Sequence, residues 1–411
     1  MSEPAERGQQ RTIMNIYQKL GVEPIINACG TVTRLGGAPM PPEVLDAFVN
    51  AAADSVLLEQ IQATASRRIA DATGTEAGLV TSGAAGALTL GAAAILTGHH
   101  LARMESLPYC DGFPSEFIIA REQRSGYDHA IRAAGAKLVE VGFNEIVSNA
   151  GVRRTELWEY EAAISPQTAG IVYVYASDSR PELTELVALA KKHNLRVLVD
   201  AAGELPPRSN LKDIPETGAD LICFSGGKAI RGPQSTGILC GRRELISSAA
   251  LQMLDMDDHP ELWDPPQELI DRSGLPGMPR HGIGRALKVS KEEIAALLTA
   301  LEMFASGAYD LQLAKYQNLL NTIADSLSQA KAVCHLIESA TPDGWAILQI
   351  AVDSSALGKT AMEVCRSLRE GCPPIYVGHS ALHDGVLTIN PVCLNDDTTR
   401  TLIQRLRAEL E

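Results

Sequence analysis

Between about residue 75 and about residue 245, short apolar runs alternate with amphipathic stretches, and this rhythm is the strongest constraint on the fold. The runs are Gly78–Thr81, Glu116–Ala120, Lys137–Val141, Gly170–Tyr175, Arg196–Asp200, Leu221–Phe224 and Gly237–Cys240. Gly, Ser, Asp or Pro bounds each of them, as expected of buried strands. Between two runs, Leu183, Leu186, Val187 and Ala190 fall at i, i+3, i+4 and i+7, one apolar helix stripe. Strands alternating with helices predict an α/β fold with a mostly parallel sheet covered on both faces.

The flanks read differently. Residues 1–45 form an expected arm, with a short helix near Ile13–Leu20 and the turn-rich run IINACGTVTRLGG. Helical patterns follow at Pro42–Ala53 and Leu58–Thr73. Residues 46–287 make the expected large domain. Residues 288–411 make a linking helix, Lys288–Ser306, and a smaller α+β domain. That domain has helices near Tyr316–Ala330, Lys359–Glu370 and Thr398–Leu410, and strands near Trp345–Val352, Ile375–Val377 and Val386–Asn390.

Composition removes several classes. Across 411 residues, 45% are hydrophobic and 21% charged, so disorder, collagen and a disulfide mini-scaffold are excluded. The net charge of −14 argues against nucleic acid as a partner, and 4% aromatic residues leave little for base stacking. The longest apolar stretch, Ala84–Leu96, is too short and glycine-rich to cross a membrane. The N-terminal MSEPAERGQQ lacks an apolar signal segment, which predicts a cytoplasmic protein. Eight cysteines without a CxxC spacing predict reduced, mostly buried thiols and no zinc site. His379 and His383 lie four apart without a third ligand, so no metal is expected.

Three features carry chemistry, and in open α/β sheets ligands sit beyond the carboxyl ends of the strands. The first is Thr81-Ser82-Gly83-Ala84-Ala85-Gly86-Ala87, between an apolar run and a helix. Small residues and a helix N-terminus suit a phosphate, although close helix–sheet packing explains them equally well. The second is Val197-Leu198-Val199-Asp200-Ala201-Ala202. An acid at a buried strand end requires a donor or cation, such as a helix terminus, a neighbouring loop or a protonated pyridine nitrogen. Small Ala202 lets a flat ring lie close. The third is Ser225-Gly226-Gly227-Lys228-Ala229-Ile230-Arg231-Gly232-Pro233. A lysine held among small residues after a strand is poised as a nucleophile rather than solvated.

In this order, the runs INACGTVTRLGGAPMP, ATGTEAGLVTSGAAGAL, AGAKLVEVG, LVDAAGELPP, SGGKAIRGPQSTGIL and GIGRALKVSKEEI resemble a family. It is the selenocysteine-synthase (SelA)-like branch of fold-type-I pyridoxal-phosphate (PLP) enzymes. They look most like its D-glucosaminate-6-phosphate ammonia-lyase-type members. The resemblance covers about residues 15–305. It implies PLP as cofactor, a Schiff base on Lys228, and Asp200 against the ring nitrogen. It also implies Ser82, Gly83 and Ala84 on the phosphate, with Ser225 beside the phosphate or the lysine. A homodimer or larger assembly with shared active sites follows from the same resemblance.

Further candidates are His129 or Tyr127, to stack on the ring, serve as an acid or bind substrate, unless both are structural. Arg285 in the GIGR segment is an anion ligand across an interface or an ordinary salt bridge. Arg34 is a clamp for a substrate carboxylate. The pairs Arg153-Arg154 and Arg242-Arg243 read as solvated charge. Relatives in this branch often carry an arginine after the last strand, where this chain has Val392 and Cys393. That difference predicts a substrate other than D-glucosaminate 6-phosphate. The stretch His99–Ser115 reads as an insertion.

The combined expectation is a PLP-dependent lyase acting at Cα of a small polar amino acid, releasing keto acid and ammonia. Racemisation, retro-aldol cleavage and selenium transfer to seryl-tRNA are alternatives on the same cofactor. A silent binding protein that kept the fold is the alternative outside catalysis.

Overall fold

The structure, a computed structural model, describes residues 15–143 and 154–411. The polar N-terminal stretch, the expected helix start at Ile13 and Arg153 lie outside the described residues. The chain forms two compact units, one from residues 31–312 and 340–344, the other from residues up to 30, 313–339 and 345–411.

Strands are numbered in chain order: β1 (Ile26–Ala28), β2 (Ala77–Ser82), β3 (Glu116–Ala120), β4 (Lys137–Val141), β5 (Thr168–Val174), β6 (Arg196–Asp200), β7 (Leu221–Ser225), β8 (Thr236–Gly241), β9 (Ala332–Ile337), β10 (Ile347–Val352), β11 (Ile375–Val377) and β12 (Val386–Ile389). The larger unit holds one seven-stranded sheet in the order β2-β8-β7-β6-β5-β3-β4. Neighbours from β4 to β7 pair in parallel, whereas β8 runs antiparallel to both β2 and β7. Strand β2 therefore points the same way as the parallel set, and six carboxyl ends share one edge. Burial on both faces explains the continuous apolar reading: Val197, Leu198 and Val199 are all fully buried.

The helix Gly83–Thr97 has no polar face and is buried along almost its whole length. Small residues let it lie on the sheet, since a Cβ on Gly91 would come within 2.8 Å of Leu198 Cδ1. Its few hydroxyls are satisfied, Thr89 donating to the Ala130 carbonyl at 2.7 Å. The helix Leu58–Thr73 protects edge strand β2. Its Gln62 amide donates to the Val80 carbonyl and accepts from the Val80 N–H, while Ser66 Oγ accepts from the Gly78 N–H. Side chains thus occupy hydrogen-bonding positions that another strand would take.

The helix expected from Lys288 begins at Lys291, because Ser290 caps it in a capping box with Glu293. It packs on the helices Pro42–Ala53 and Leu58–Thr73 within the larger unit. The division between units therefore falls at 312/313, one helix beyond the expected 287/288. The stretch His99–Ser115 is not a loose insertion. It contains the helix Leu101–Ser106, and Met104, Leu107 and Phe113 join the main core.

In the smaller unit, β12-β10-β9 form an antiparallel sheet and β1 pairs in parallel with β11. Its core gathers Leu320, Ile323, Leu348, Ile350, Val364, Leu402 and Leu406. Of the eight free cysteines, Cys223, Cys240 and Cys365 are buried and Cys372 is exposed, so burial is less general than expected. Arg242 and Arg243 are not merely solvated. Arg243 donates to the Glu76 and Glu268 carbonyls at 2.7 and 2.8 Å, and Arg242 pairs with Asp220 and Glu244. Arg154 pairs with Asp178 at 2.7 Å. Among the described residues, no single helix is long and apolar enough to cross a membrane.

Candidate active site

Strand register brings the expected chemistry to one edge. Ser82 at the end of β2 pairs with Thr236, Gly237 pairs with Ser225 at the end of β7, and Cys223 pairs with Asp200 at the end of β6. These ends span three strand spacings, about 15 Å.

Asp200 is half-buried. Its Oδ1 accepts from the Ala202 N–H at 3.0 Å and lies 3.6 Å from the Cys223 thiol. Burial and the neighbouring Asp200 charge push the Cys223 thiol well above its ordinary range, so it stays protonated and donates. No partner within the chain engages Oδ2 among the described residues.

Lys228 lies in the connection between β7 and antiparallel β8. The turn is tied by Gly226 N–H to the Thr236 carbonyl, Gly232 N–H to the Gly226 carbonyl and Arg231 N–H to the Lys228 carbonyl, at 2.9, 2.9 and 3.0 Å. The preceding glycines are required by packing. A Cβ on Gly226 would meet Thr236 Oγ1 at 2.3 Å, and one on Gly227 would meet Gln234 Cα at 2.6 Å. Arg231 adopts φ +60°, a left-handed conformation unusual for a side-chain-bearing residue. Its guanidinium holds it there, donating to the Pro39 carbonyl at 3.0 Å and to Gln312 at 2.7 Å. Lys228 is half-buried, and its Nζ has no hydrogen-bond or ion-pair partner among the described residues.

The helix Gly83–Thr97 begins directly at the end of β2, with Gly83 at φ +72°. Its first-turn N–H groups have no preceding turn to bond and carry the positive end of the helix dipole. Ser82 occupies the N-cap position but does not cap the helix, so its hydroxyl is not consumed locally. Gly237 permits this arrangement: a Cβ there would strike the Gly83 carbonyl carbon at 2.3 Å and the Ala84 nitrogen at 2.6 Å.

The other candidates are placed differently. After β3, His129 is exposed and bonds Arg132, and Tyr127 is 65% exposed. The buried polar residues of that segment are Asp128, which pairs with Arg124, and Gln123, which the sequence did not single out. Its Oε1 accepts from the Val174 N–H at 3.0 Å, and its buried Nε2 has no partner. Arg285, on the short turn Ile283–Leu287, pairs with Asp255. The Asp257 N–H, His281 and Arg285 hold the Asp255 carboxyl down at about 2. Asp255, Asp257 and His281 are near enough together to suggest a cation site, but Arg285 already supplies a cation to Asp255. Arg34 is exposed on the turn Thr33–Leu35.

Comparison with known proteins agrees with this geometry. The SelA family model, L-seryl-tRNA selenium transferase, matches residues 127–256. The D-glucosaminate-6-phosphate ammonia lyase of Salmonella typhimurium (strain 14028s / SGSC 2262) is 29% identical over 403 residues, covering 96% of this chain and 97% of that protein. The 5'-C-glycyluridine monooxygenase-decarboxylase of a Streptomyces species is also 29% identical over 403 residues, covering 95% and 90%. A solved structure of D-glucosaminate-6-phosphate ammonia-lyase superposes with a TM-score of 0.79 at 27% identity, over 97% of this chain and 98% of that one.

A seven-stranded sheet with one reversed strand, and a lysine after β7, are the architecture of fold-type-I PLP-dependent enzymes. Within that class, the family match and the end-to-end relatives narrow the assignment. The chain is similar to the SelA-like branch.

Proposed function

We propose that this protein binds PLP and acts as a lyase on a small polar amino acid, expelling its β-substituent to leave keto acid and ammonia. The supporting observation is that the groups unengaged at the carboxyl edge match the cofactor's chemistry. The first turn of Gly83–Thr97 and Ser82 suit a phosphate, Asp200 Oδ2 suits a protonated ring nitrogen, and Lys228 Nζ suits an aldehyde. Gln123 Nε2 is a buried donor still lacking an acceptor. When bound, PLP supplies an electron sink for charge developing at the substrate Cα.

The chain's own residues do the rest. Asp200 keeps a proton on the ring nitrogen. Lys228, once free, takes the Cα proton as general base. Helix N–H groups hold the phosphate without needing a side-chain cation. Val392 is buried, and Cys393 Sγ donates to the Gly30 carbonyl at 3.3 Å and accepts from Asn27 at 3.5 Å. Neither is cationic, which supports a substrate distinct from D-glucosaminate 6-phosphate. The net charge of −14 favours a small-molecule substrate over tRNA. The proposal includes a homodimer or larger assembly.

The test joins a spectrum to a product screen. Purified protein should show a visible cofactor band that borohydride removes, leaving the label on Lys228. Lys228→Ala should lose the band and at least about 10³-fold in activity. D- and L-β-hydroxy amino acids are then assayed for keto acid. Isotope exchange at Cα without keto acid would favour a racemase, and oxygen uptake would favour the chemistry for which the Streptomyces relative is named. A Lys228→Ala protein with full activity and an unchanged band would overturn the assignment.

A further inference from the structure

Arg231 is an unexpected residue for the place it holds. It follows Lys228 by three residues at φ +60°, a conformation that penalises any residue with a Cβ and that glycine adopts freely. It is also buried, although an arginine head is rarely withdrawn from water unless it is paired. A strained residue of this kind persists only where its surroundings enforce it. Here they do. Nε and Nη2 both donate to the Pro39 carbonyl, at 3.3 and 3.0 Å, and Nη1 donates to Gln312 Oε1 at 2.7 Å. The guanidinium carbon lies 5.3 Å from the centre of the Tyr309 ring. The Tyr309 hydroxyl in turn donates to the Ile230 carbonyl at 3.0 Å, so the ring that faces the cation is itself bonded to the turn. Pro39 precedes the helix Pro42–Ala53, and Tyr309 and Gln312 follow the helix Lys291–Ser306. The Arg231 N–H closes the turn onto the Lys228 carbonyl at 3.0 Å. Lys228 Nζ itself has no hydrogen-bond or ion-pair partner among the described residues, so the backbone of this turn sets where it sits.

Resting on the function proposed above, we infer that Arg231 is the positioning residue of Lys228: its guanidinium ties the lysine turn to Pro39 on one side and to Tyr309 and Gln312 on the other. The physical reason is geometric. A lysine nitrogen hangs on a flexible four-carbon stem, so its reach is only as well placed as the backbone that carries it. A displacement of about 1 Å at a reacting group costs up to about 100-fold in rate. The planar fork of arginine holds two acceptors in fixed directions while its face lies on an aromatic ring, which an ammonium cannot do. Glycine at 231 would satisfy the backbone without any clamp. The chain instead places a charged side chain there and surrounds it with partners from two other elements.

The experiment compares wild type with Arg231→Gly and Arg231→Lys, reading kcat, KM, the melting temperature and the rate at which PLP added to the apo protein attaches. Arg231→Gly relieves the backbone and removes the clamp. Its kcat should fall about 10–100-fold with KM within about threefold of wild type, and PLP should attach more slowly. Arg231→Lys keeps a charge but cannot span both acceptors, and should fall between the two. Gly78→Ala, at the amino end of β2, brings a Cβ against Ile69 and reports what lost stability alone does. A position that needed only a left-handed residue would leave Arg231→Gly fully active, so a kcat within about twofold of wild type and unchanged attachment overturn the inference. Equal losses of kcat in Arg231→Gly and Gly78→Ala overturn it as well. Should Arg231→Gly not fold, Gln312→Ala and Tyr309→Phe cut the clamp from its far end. They should show the same fall in kcat and slower attachment at smaller size, and no change in either variant overturns the inference. If Lys228→Ala abolishes the visible band while the clamp variants behave as wild type, the proposed function stands without Arg231. A wild-type protein lacking any visible band removes both.

Discussion

At the scale of single residues, the positions of Lys228 and Asp200 at the carboxyl edge were legible because the sequence gives each a local frame, a strand end followed by small residues. The burial of Gln123 was not, because an isolated polar residue carries no pattern. In the segment after β3, His129 and Tyr127 have the more suggestive chemistry, yet Gln123 turns inward. The Val174 N–H on neighbouring β5 claims its Oε1, a contact 51 residues away in sequence. That bond fixes the amide oxygen and leaves Nε2 buried without an acceptor. Asp200 permits a direct test. Asp200→Asn can keep the bond from the Ala202 N–H while losing the charge, so kcat/KM should fall about 10–100-fold with little change in fold. Steady-state kinetics and circular dichroism check this. A loss below about threefold would remove Asp200 from the role of ring-nitrogen partner.

At the scale of elements, the strands of the large sheet were read almost to the residue, since both of their faces are buried and turn residues bound them. Errors gathered where that signal weakens. Strand β9 alternates half-buried and exposed positions and was missed. So was β1, which is three residues long and gains its meaning only by pairing with β11. The helix Arg243–Met253 was missed because serines and alanines dilute its stripe, although it is buried along most of its length. Helix starts shifted to their caps, as at Ser290 and Asn395. The close approach of β8 to the helix start makes a prediction at this scale. Gly237→Ala should destabilise the protein by about 1–3 kcal/mol and speed loss of PLP on dialysis. Gly78→Ala, whose added Cβ would have its nearest neighbours in the Ile69 side chain, serves as the control. It should lower the melting temperature without changing PLP retention. Equal retention in both variants would contradict the role given to the first turn.

At the scale of the whole molecule, the two 29%-identical relatives carry names for different reactions. The scaffold is thus shared more widely than its chemistry, and the assay must decide between reactions that one frame permits. Assembly can be judged from the surface. Leu45, Val49, Val56 and Leu57 are apolar and between 45% and 66% exposed, and the proposed assembly would cover them. Sedimentation at micromolar concentration should give a dimer or larger species, and Val49→Asp should shift it toward monomer with loss of activity. An active wild-type monomer throughout the dilution series would count against shared sites.

The reversal of β8 has a consequence for how the protein is made. A parallel neighbour of β7 would need a long crossover, but the antiparallel pairing needs only residues 226–235 to return the chain. The lysine therefore sits in a hairpin that closes from adjacent sequence, at a small entropic cost. Ser82, Asp200 and Gln123 reach the same edge only after distant strands have paired. The loop that carries Lys228 can thus take its shape from local sequence alone, whereas the edge around it depends on long-range pairing.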